Sequence, residues 1–381
     1  MSTFSCPVVR IRAVEDHPNA DRLSLNHVLG FVCISNRDDQ GNHRYAPGDL
    51  VVYIPEGAIV PEWAMRRYGY WNEEKQEGFL SGSQHNRVKA VRLRQIMSLG
   101  LMFSIRGGQV ELADGSLLPV QEGDNLADQL GIIKFEPPIP VAMAGQVCAI
   151  PGHGIRWDVE NIKRYPDIFV SGETVLVWEK LHGSSCHIGI IPNLNHPDLL
   201  DDWYVISKGL GAQGLAFKDN EENAGNLYVK TVKRLGLIEK IKHFYAHHIA
   251  AGASVWVLGE VYGKGVQDLD YGEKEPTFAG FAIAVRAAGG TEQVFVDPIY
   301  LEETFREMGI PMVALLYEGP YDPQIVAQLT DGLTTMGGSH IREGVVVNPA
   351  YNRRDPVIGK VILKSVSENY LLRKGNVTEY T

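Results

Sequence analysis

Short Val- and Ile-rich runs, cut by glycines and prolines and not alternating regularly with helices, limit the fold of this 381-residue chain more than any other feature. Candidate strands are Pro7–Ala13, Leu50–Tyr53, Val88–Leu93, Thr174–Trp178, His187–Ile191, Tyr204–Ser207, Val255–Val261, Thr277–Val285, Gly344–Asn348 and Lys360–Lys364. Candidate helices are Val159–Arg164, Ala224–His248, Pro298–Glu307 and Pro323–Asp331, the last with proline near its start, where proline is favoured. Strands come first, and strands mixed with helices follow. A doubly wound parallel sheet needs regular alternation, so an α+β class is expected instead.

At about 150 residues per domain, the length suggests two or three domains. A boundary falls where Phe135-Glu-Pro-Pro-Ile-Pro140 and Pro151-Gly-His-Gly154 read as an extended linker, 136–154. Residues 1–135 are short strands and turns that suit a small β-barrel. Residues 155–381 carry nearly all the candidate chemistry. Hydrophobic residues at 44% and charged residues at 22% are ordinary for a globular chain. Cys6, Cys33, Cys148 and Cys186 form no CxxC, which favours a reducing compartment over a disulfide scaffold. The N-terminus is charged where a signal peptide needs an apolar core. The longest apolar stretch, Ile249–Leu258, is too short to span a bilayer. A cytoplasmic protein without membrane association is expected. The net charge of −10 argues against broad nucleic-acid binding but leaves a local basic groove open.

Five segments of the second half carry the chemistry. Glu179-Lys180-Leu181-His182-Gly183-Ser184-Ser185 follows a strand, placing a lysine at a strand end before a glycine turn that lets a ligand approach the backbone. A nucleophilic lysine must be neutral, and from an ordinary pKa of ~10.4 only about 0.1% is neutral near pH 7.5. Burial, a nearby cation or a metal must depress it by about three pH units. Taken alone, the segment also reads as an ordinary surface lysine. Leu258-Gly-Glu260-Val-Tyr-Gly263 and Arg342-Glu343-Gly344-Val-Val-Val347 each bring a carboxylate to an apolar strand. Phe278-Ala-Gly-Phe281-Ala-Ile283 offers an aromatic plate, and Lys360-Val-Ile-Leu-Lys364-Ser365 offers two lysines. The set suits a nucleotide whose phosphate is transferred to Lys180.

The order KLHG, SKG, GEVYG, FAGFAI, EGVVV and KxxxK resembles the covalent nucleotidyltransferase superfamily of polynucleotide ligases and capping enzymes. The histidine of KLHG is similar to RNA ligases, in particular the ATP-dependent Deinococcus and Naegleria type. That resemblance implies an N-terminal OB-like β-barrel, then an ATP-grasp-like covalent nucleotidyltransferase domain with antiparallel sheets and flanking helices. It implies RNA joining through a lysyl-AMP and an RNA-adenylate, with RNA repair as the setting. ATP and Mg²⁺ or Mn²⁺ are the implied cofactors. The implied partner is RNA with 3′-hydroxyl and 5′-phosphate ends, including a nicked duplex, with no obligate protein partner.

The resemblance also implies residue roles. Lys180 attacks the α-phosphate, and Lys364 contacts that phosphate and helps depress the Lys180 pKa. Glu179 sits beside the adenine, His182 and Gly183 shape the loop, and Lys208 lies near the nucleotide. Glu260 holds the ribose hydroxyls, Phe281 stacks on the adenine, and Glu343 holds the metal. Two positions depart from the pattern. Ser185 stands where many RNA ligases have asparagine. Ile362 stands where a KxK motif has its first lysine, for which Lys360, on the same strand face, is the substitute.

In the first half, His17-Pro-Asn-Ala-Asp-Arg-Leu23 resembles the turn and strand of tRNA-binding OB-type modules. Arg87, Lys89, Arg92 and Arg94 form a candidate phosphate-binding patch, OB folds being common nucleic-acid binders. The same charges also suit a protected strand edge. Two other readings stay open: a GTP-using capping-type transferase, and a non-catalytic RNA-binding protein with a degenerate transferase domain. Gly209-Leu-Gly-Ala-Gln-Gly214 matches GxGxxG but lacks the helix and acid of a dinucleotide site. His243, His247 and His248 read as a solvated helix end, and Asp268 and Asp270 lack the rest of a calcium loop.

Overall fold

The computed structural model describes residues 4–136, 138–199 and 201–374. Pro137 of the expected linker and residues 375–381 of the expected transferase domain lie outside the described residues. The chain forms two compact units, one of Met1–Glu136 with Ile162–Asp167 and one of Pro137–Asn161 with Ile168–Thr381.

The first unit is built on β1 (Val8–Asp16), β2 (Leu23–Val28), β3 (Phe31–Asn36), β4 (Leu50–Ile54) and β5 (Leu101–Ser104), in the order β5-β4-β1-β2-β3. A bulge in β1 between Ile11 and Ala13 lets one strand serve β4 at one end and β2 along the rest. Leu99 N–H donates to Val32 O at 2.9 Å, drawing the two ends of the sheet together into a nearly closed barrel. Alternate residues fill it: Val8, Val52, Ile54 and Phe103 are fully buried. The helix α1 (Glu62–Tyr68), which the strand pattern does not reveal, adds Ala64 and Met65 to this core.

The second unit has two five-stranded sheets. In chain order the strands are β6 (Glu160–Asn161), β7 (Thr174–Lys180), β8 (Ser184–Ile190), β9 (Trp203–Ser207), β10 (Ser254–Tyr262), β11 (Thr277–Arg286), β12 (Val294–Phe295), β13 (Leu315–Pro320), β14 (Gly344–Pro349) and β15 (Leu363–Val366). One sheet runs β6-β15-β14-β7-β13 and the other β9-β8-β10-β11-β12. All strand pairs are antiparallel except β6 with β15. The two-residue period sorts β10 cleanly. Val255, Val257 and Val261 join a core completed by the helices Leu227–Arg234, Leu237–Phe244 and Pro298–Met308. Trp256 and Leu258 point the other way, into a core shared with Ile362 and Val346.

Three expectations are corrected. The single helix over 224–248 is three, because Gly236 adopts φ 61° and Tyr245 ends the second. Residues 159–164 form the short strand β6 and a 3₁₀ turn, Ile162–Arg164, rather than a helix. The linker segment is partly paired: Val147–Ala149 runs antiparallel to Leu215–Phe217. The GxGxxG run lies in a short helix, Lys208–Gln213, closed by Gly214 at φ 69°, and the strand Leu215–Phe217 follows it, so the helix of a dinucleotide site is absent after the glycines among the described residues. No helix among the described residues is long and apolar enough to cross a membrane.

Candidate active site

Lys180 ends β7 and lies opposite Gly344, while Trp178 lies opposite Val346 and Val346 opposite Lys364. Residues paired across antiparallel strands share a face, and so do residues two apart. Lys180 and Lys364 therefore project from the same face, two strands apart. On the other sheet, Ser185 and Glu260 are cross-strand partners on the face that carries Leu258 and Trp256. A bulge between Leu258 and Gly259 leaves Phe281 as the extra residue of β11, turned toward this same core.

Glu343 closes the cluster. Its Oε1 lies 2.7 Å from Lys180 Nζ, and the two side chains are only 13% and 24% exposed. The expected depression of Lys180 is not what this arrangement produces. Burial acts to lower its pKa, but Glu343 and then Glu260 outweigh burial, and it stands above the ordinary lysine value. Lys364 is the depressed lysine instead. Burial, then Lys180 and Lys208, push it down to about 8. Burial pushes the Glu260 carboxyl up to about 8, against the pull of Lys180 and with a further push from Glu343. Lys180 is thus coupled to both groups, to Lys364, which is held down, and to Glu260, which is pushed up.

Gly344 has φ 152°, and a Cβ there would lie 2.1 Å from Ser365 O, so β14 and β15 close only around glycine. Gly183 is required for a different reason from the one expected. A Cβ there would meet Val261 O at 2.3 Å, so the close neighbour is the strand β10.

The Glu179 side chain is not part of the cluster. It points to the opposite face of β7, is 1% exposed, and accepts from Thr335 N at 2.8 Å, Thr335 Oγ1 at 2.7 Å and Thr334 Oγ1. Lys360 is also set apart. It lies in a separate hairpin, Arg354–Asp355 with Gly359–Lys360, and not on the strand face of Lys364. Its Nζ donates to Asn352 Oδ1 and sits 4.8 Å from the Phe295 ring. Burial lowers it to about 8, opposed by Asp297. Lys208 pairs with Asp158 at 3.5 Å. Phe281 stacks on Trp157, with ring centroids 5.5 Å apart and 26° between planes.

Sequence reasoning missed Trp157, Asp158 and His187. Ser185 Oγ lies 3.0 Å from His187 Nε2, and burial, then Lys208, push the imidazole down to about 3, so it is neutral. The Ser-x-His spacing on a strand was the available signal, since it places both side chains on one face. In the barrel unit, Arg92 and Arg94 are exposed on the hairpin Val91–Leu93 with Ile96–Ser98. Asn19 Nδ2 donates to Arg94 O at 3.0 Å and His17 Nε2 lies 3.2 Å from Leu93 O, so the His17–Leu23 turn braces that hairpin. Lys89 is half-buried. Arg87 stands apart from the expected patch, its guanidinium 3.7 Å over the Phe135 ring. The histidines 243, 247 and 248 are exposed.

The site thus sets two lysines, Lys180 and Lys364, on one sheet face with Glu343 against the first. The RNA ligase family profile matches residues 173–366. The chain belongs to the RNA ligase family. An OB-fold domain profile matches residues 6–105, the barrel unit. The search of curated proteins finds no match. Among solved structures, the Naegleria gruberi RNA ligase with pyrophosphate superposes with a TM-score of 0.72 at 21% identity, covering 97% of this chain and 98% of that one. A lysine-to-methionine variant of that ligase with AMP and Mn gives 0.72 at 20% identity, covering 96% and 98%. A lysine-to-alanine variant with ATP and Mn gives 0.71 at 20%, covering 96% and 98%. An RNA ligase with an N-terminal OB fold and a Naegleria-type transferase fold is thus the architecture of this chain.

Proposed function

We propose that this RNA ligase uses ATP to join an RNA 3′-hydroxyl to a 5′-phosphate through a lysyl-AMP and an RNA-adenylate, and that it serves RNA repair. The observation that carries this reading is the Lys180 amine at the end of β7, held by Glu343 at 2.7 Å on the sheet face it shares with Lys364. The Naegleria ligase structures with ATP or AMP and Mn support the choice of nucleotide. Lys180 loses its proton and attacks the α-phosphorus. A P–N bond forms, and the P–O bond to pyrophosphate breaks. An oxygen of the RNA 5′-phosphate then takes the AMP and returns the lysine. The RNA 3′-hydroxyl attacks that phosphate, and AMP leaves. Lys364 and Lys208 supply positive charge toward the phosphates. Glu260 and Ser185 face the sugar side, and Phe281 offers an apolar plate for the base.

The residues fit a divalent cation. Two half-buried carboxylates, Glu343 and Glu260, act on the same Lys180 amine, and Glu343 also acts to raise the Glu260 carboxyl. Glu343 and Glu260 are oxygen donors of the kind Mg²⁺ and Mn²⁺ take. When bound, the cation would neutralise charge on the phosphates, with Glu343, which now faces the Lys180 amine at 2.7 Å, as a residue that would hold it.

The test is gel resolution of a 5′-phosphorylated RNA incubated with a 3′-hydroxyl partner, ATP and Mg²⁺, both as a nicked duplex and as single strands. The wild type yields the joined product in at least one format and Lys180→Ala in neither. Joining by Lys180→Ala, or joining with GTP alone, refutes the reading.

A further inference from the structure

The turn behind the nucleophile is held from three sides. His182 is 3% exposed, and its backbone N–H donates to the Tyr271 hydroxyl at 2.6 Å. Its Nε2 lies 2.7 Å from Asp268 Oδ1, and its Nδ1 lies 2.8 Å from the Tyr370 hydroxyl. Arg373 binds both oxygens of Asp268, at 2.9 and 3.1 Å, and its guanidinium lies 3.8 Å from the centre of the Tyr370 ring. Gln267 donates to the Gly183 carbonyl. Asp268, which only accepts, is the near partner of Nε2, with Arg373 Nη2 farther off at 3.4 Å, so Nε2 carries the proton and Nδ1 accepts from Tyr370. Each ring nitrogen is thereby assigned, and the imidazole has one orientation.

These partners come from two places. Asp268 and Tyr271 lie in the loop between β10 and β11, and Tyr370 and Arg373 come from the short helix Glu368–Leu371 and the residues after it. That helix follows β15, the strand of Lys364, after only Ser367, whose Oγ caps it. The strand carrying Lys364 and the turn carrying Lys180 are therefore tied by one hydrogen-bonded unit, buried at His182, Tyr271 and Tyr370 and open to solvent at Asp268.

We propose that Asp268, Tyr370 and Arg373 are positioning residues that act through the His182 imidazole to fix the Lys180 turn against the Lys364 strand. A side chain whose only service is to support the fold costs stability when altered, and its effect adds to that of other substitutions. A residue that works through His182 instead loses its effect once His182 is gone. The assignment rests on the lysyl-AMP reading above, because it concerns the rate at which Lys180 reacts.

The experiment follows the AMP adduct on the full-length protein by intact mass, over time and ATP concentration. The set is wild type, Tyr370→Phe, Asp268→Asn, His182→Gln, and Tyr370→Phe and Asp268→Asn each combined with His182→Gln. Tyr370→Phe keeps the ring and removes only the hydroxyl, so it guards against loss of folding. Each single variant is expected to lower the maximal adduct rate about tenfold, as the loss of one buried hydrogen bond in the reacting geometry would. The ATP concentration for half-maximal rate stays within about twofold. In the His182→Gln background, Tyr370→Phe and Asp268→Asn change nothing further. Wild-type rates in Tyr370→Phe and Asp268→Asn, or the same fold-loss in the His182→Gln background, overturn the assignment. No adduct from the wild type with any nucleotide overturns the lysyl-AMP reading, and the assignment with it.

Discussion

Replacing Glu179 separates two roles for the residue beside Lys180. Its buried carboxylate accepts three hydrogen bonds from Thr334 and Thr335, and it faces away from Lys180. A hydrogen bond to a charged group contributes ~1.5–3 kcal/mol, and bonds on one carboxylate are not additive. In Glu179→Gln an amide NH₂ replaces one oxygen and meets donors, so one or two of the three bonds are lost. The expected cost is roughly 3 kcal/mol. For a unit of this size, ~1 kcal/mol moves the midpoint by ~2–4 °C, so the transition carrying Glu179 falls by roughly 6–12 °C. Scanning calorimetry reads this, with the two units followed as separate transitions where they separate. At a temperature where the variant is folded, the ATP concentration for half-maximal adduct formation stays near the wild-type value. An unchanged midpoint with a large rise in that concentration would sink the reasoning, because it would put the Glu179 side chain on the nucleotide.

Three further outcomes are expected. The Glu260 carboxyl is raised from 4.5 to about 8 in the folded chain, so the folded state holds a proton that the unfolded state releases. Its stabilising contribution is full below pH ~4.5 and is lost as the pH rises through about 8, so wild-type stability in urea declines across that window and Glu260→Gln flattens the decline. An undiminished slope in the variant would contradict the buried-acid account. Arg92→Ala with Arg94→Ala is expected to weaken RNA binding and to reduce the salt slope by about 1.4 for a single strand, two charges at ~0.7 each, in a titration of fluorescent RNA. Arg87→Ala, which removes the stack on Phe135, lowers the melting temperature of the barrel unit and leaves the salt slope intact.

How much of this was legible in the sequence follows from the range of the interactions. Strands β7, β10, β11 and β14 were visible because each is a run of β-branched and aromatic residues ended by a charge, and a strand's period of two then dictates the face. The same period brings Lys180 and Lys364 onto one sheet face and sends Glu179 to the other, a consequence hidden until the register of β7 against β14 is known. Lys360 looked interchangeable with a strand neighbour of Lys364, but the hairpin at Arg354–Lys360 interrupts the strand. Asp268 and Tyr370 reach His182 across 86 and 188 residues of chain, and no local pattern marks either partner. The pKa inversion between Lys180 and Lys364 is likewise a matter of which carboxylate sits against which amine, here Glu343 against Lys180. Gly236, by contrast, is a local signal, because glycine inside a helix is costly, and it marks the break within 224–248.

The central claim is that Lys180 becomes covalently linked to AMP. Its most direct test is the intact mass of the full-length protein after incubation with ATP and Mg²⁺, beside Lys180→Ala. The account predicts an AMP-sized increase in the wild type alone, reversed by pyrophosphate. An equal increase in Lys180→Ala, or none in the wild type after any pre-bound AMP has been stripped with pyrophosphate, would contradict it.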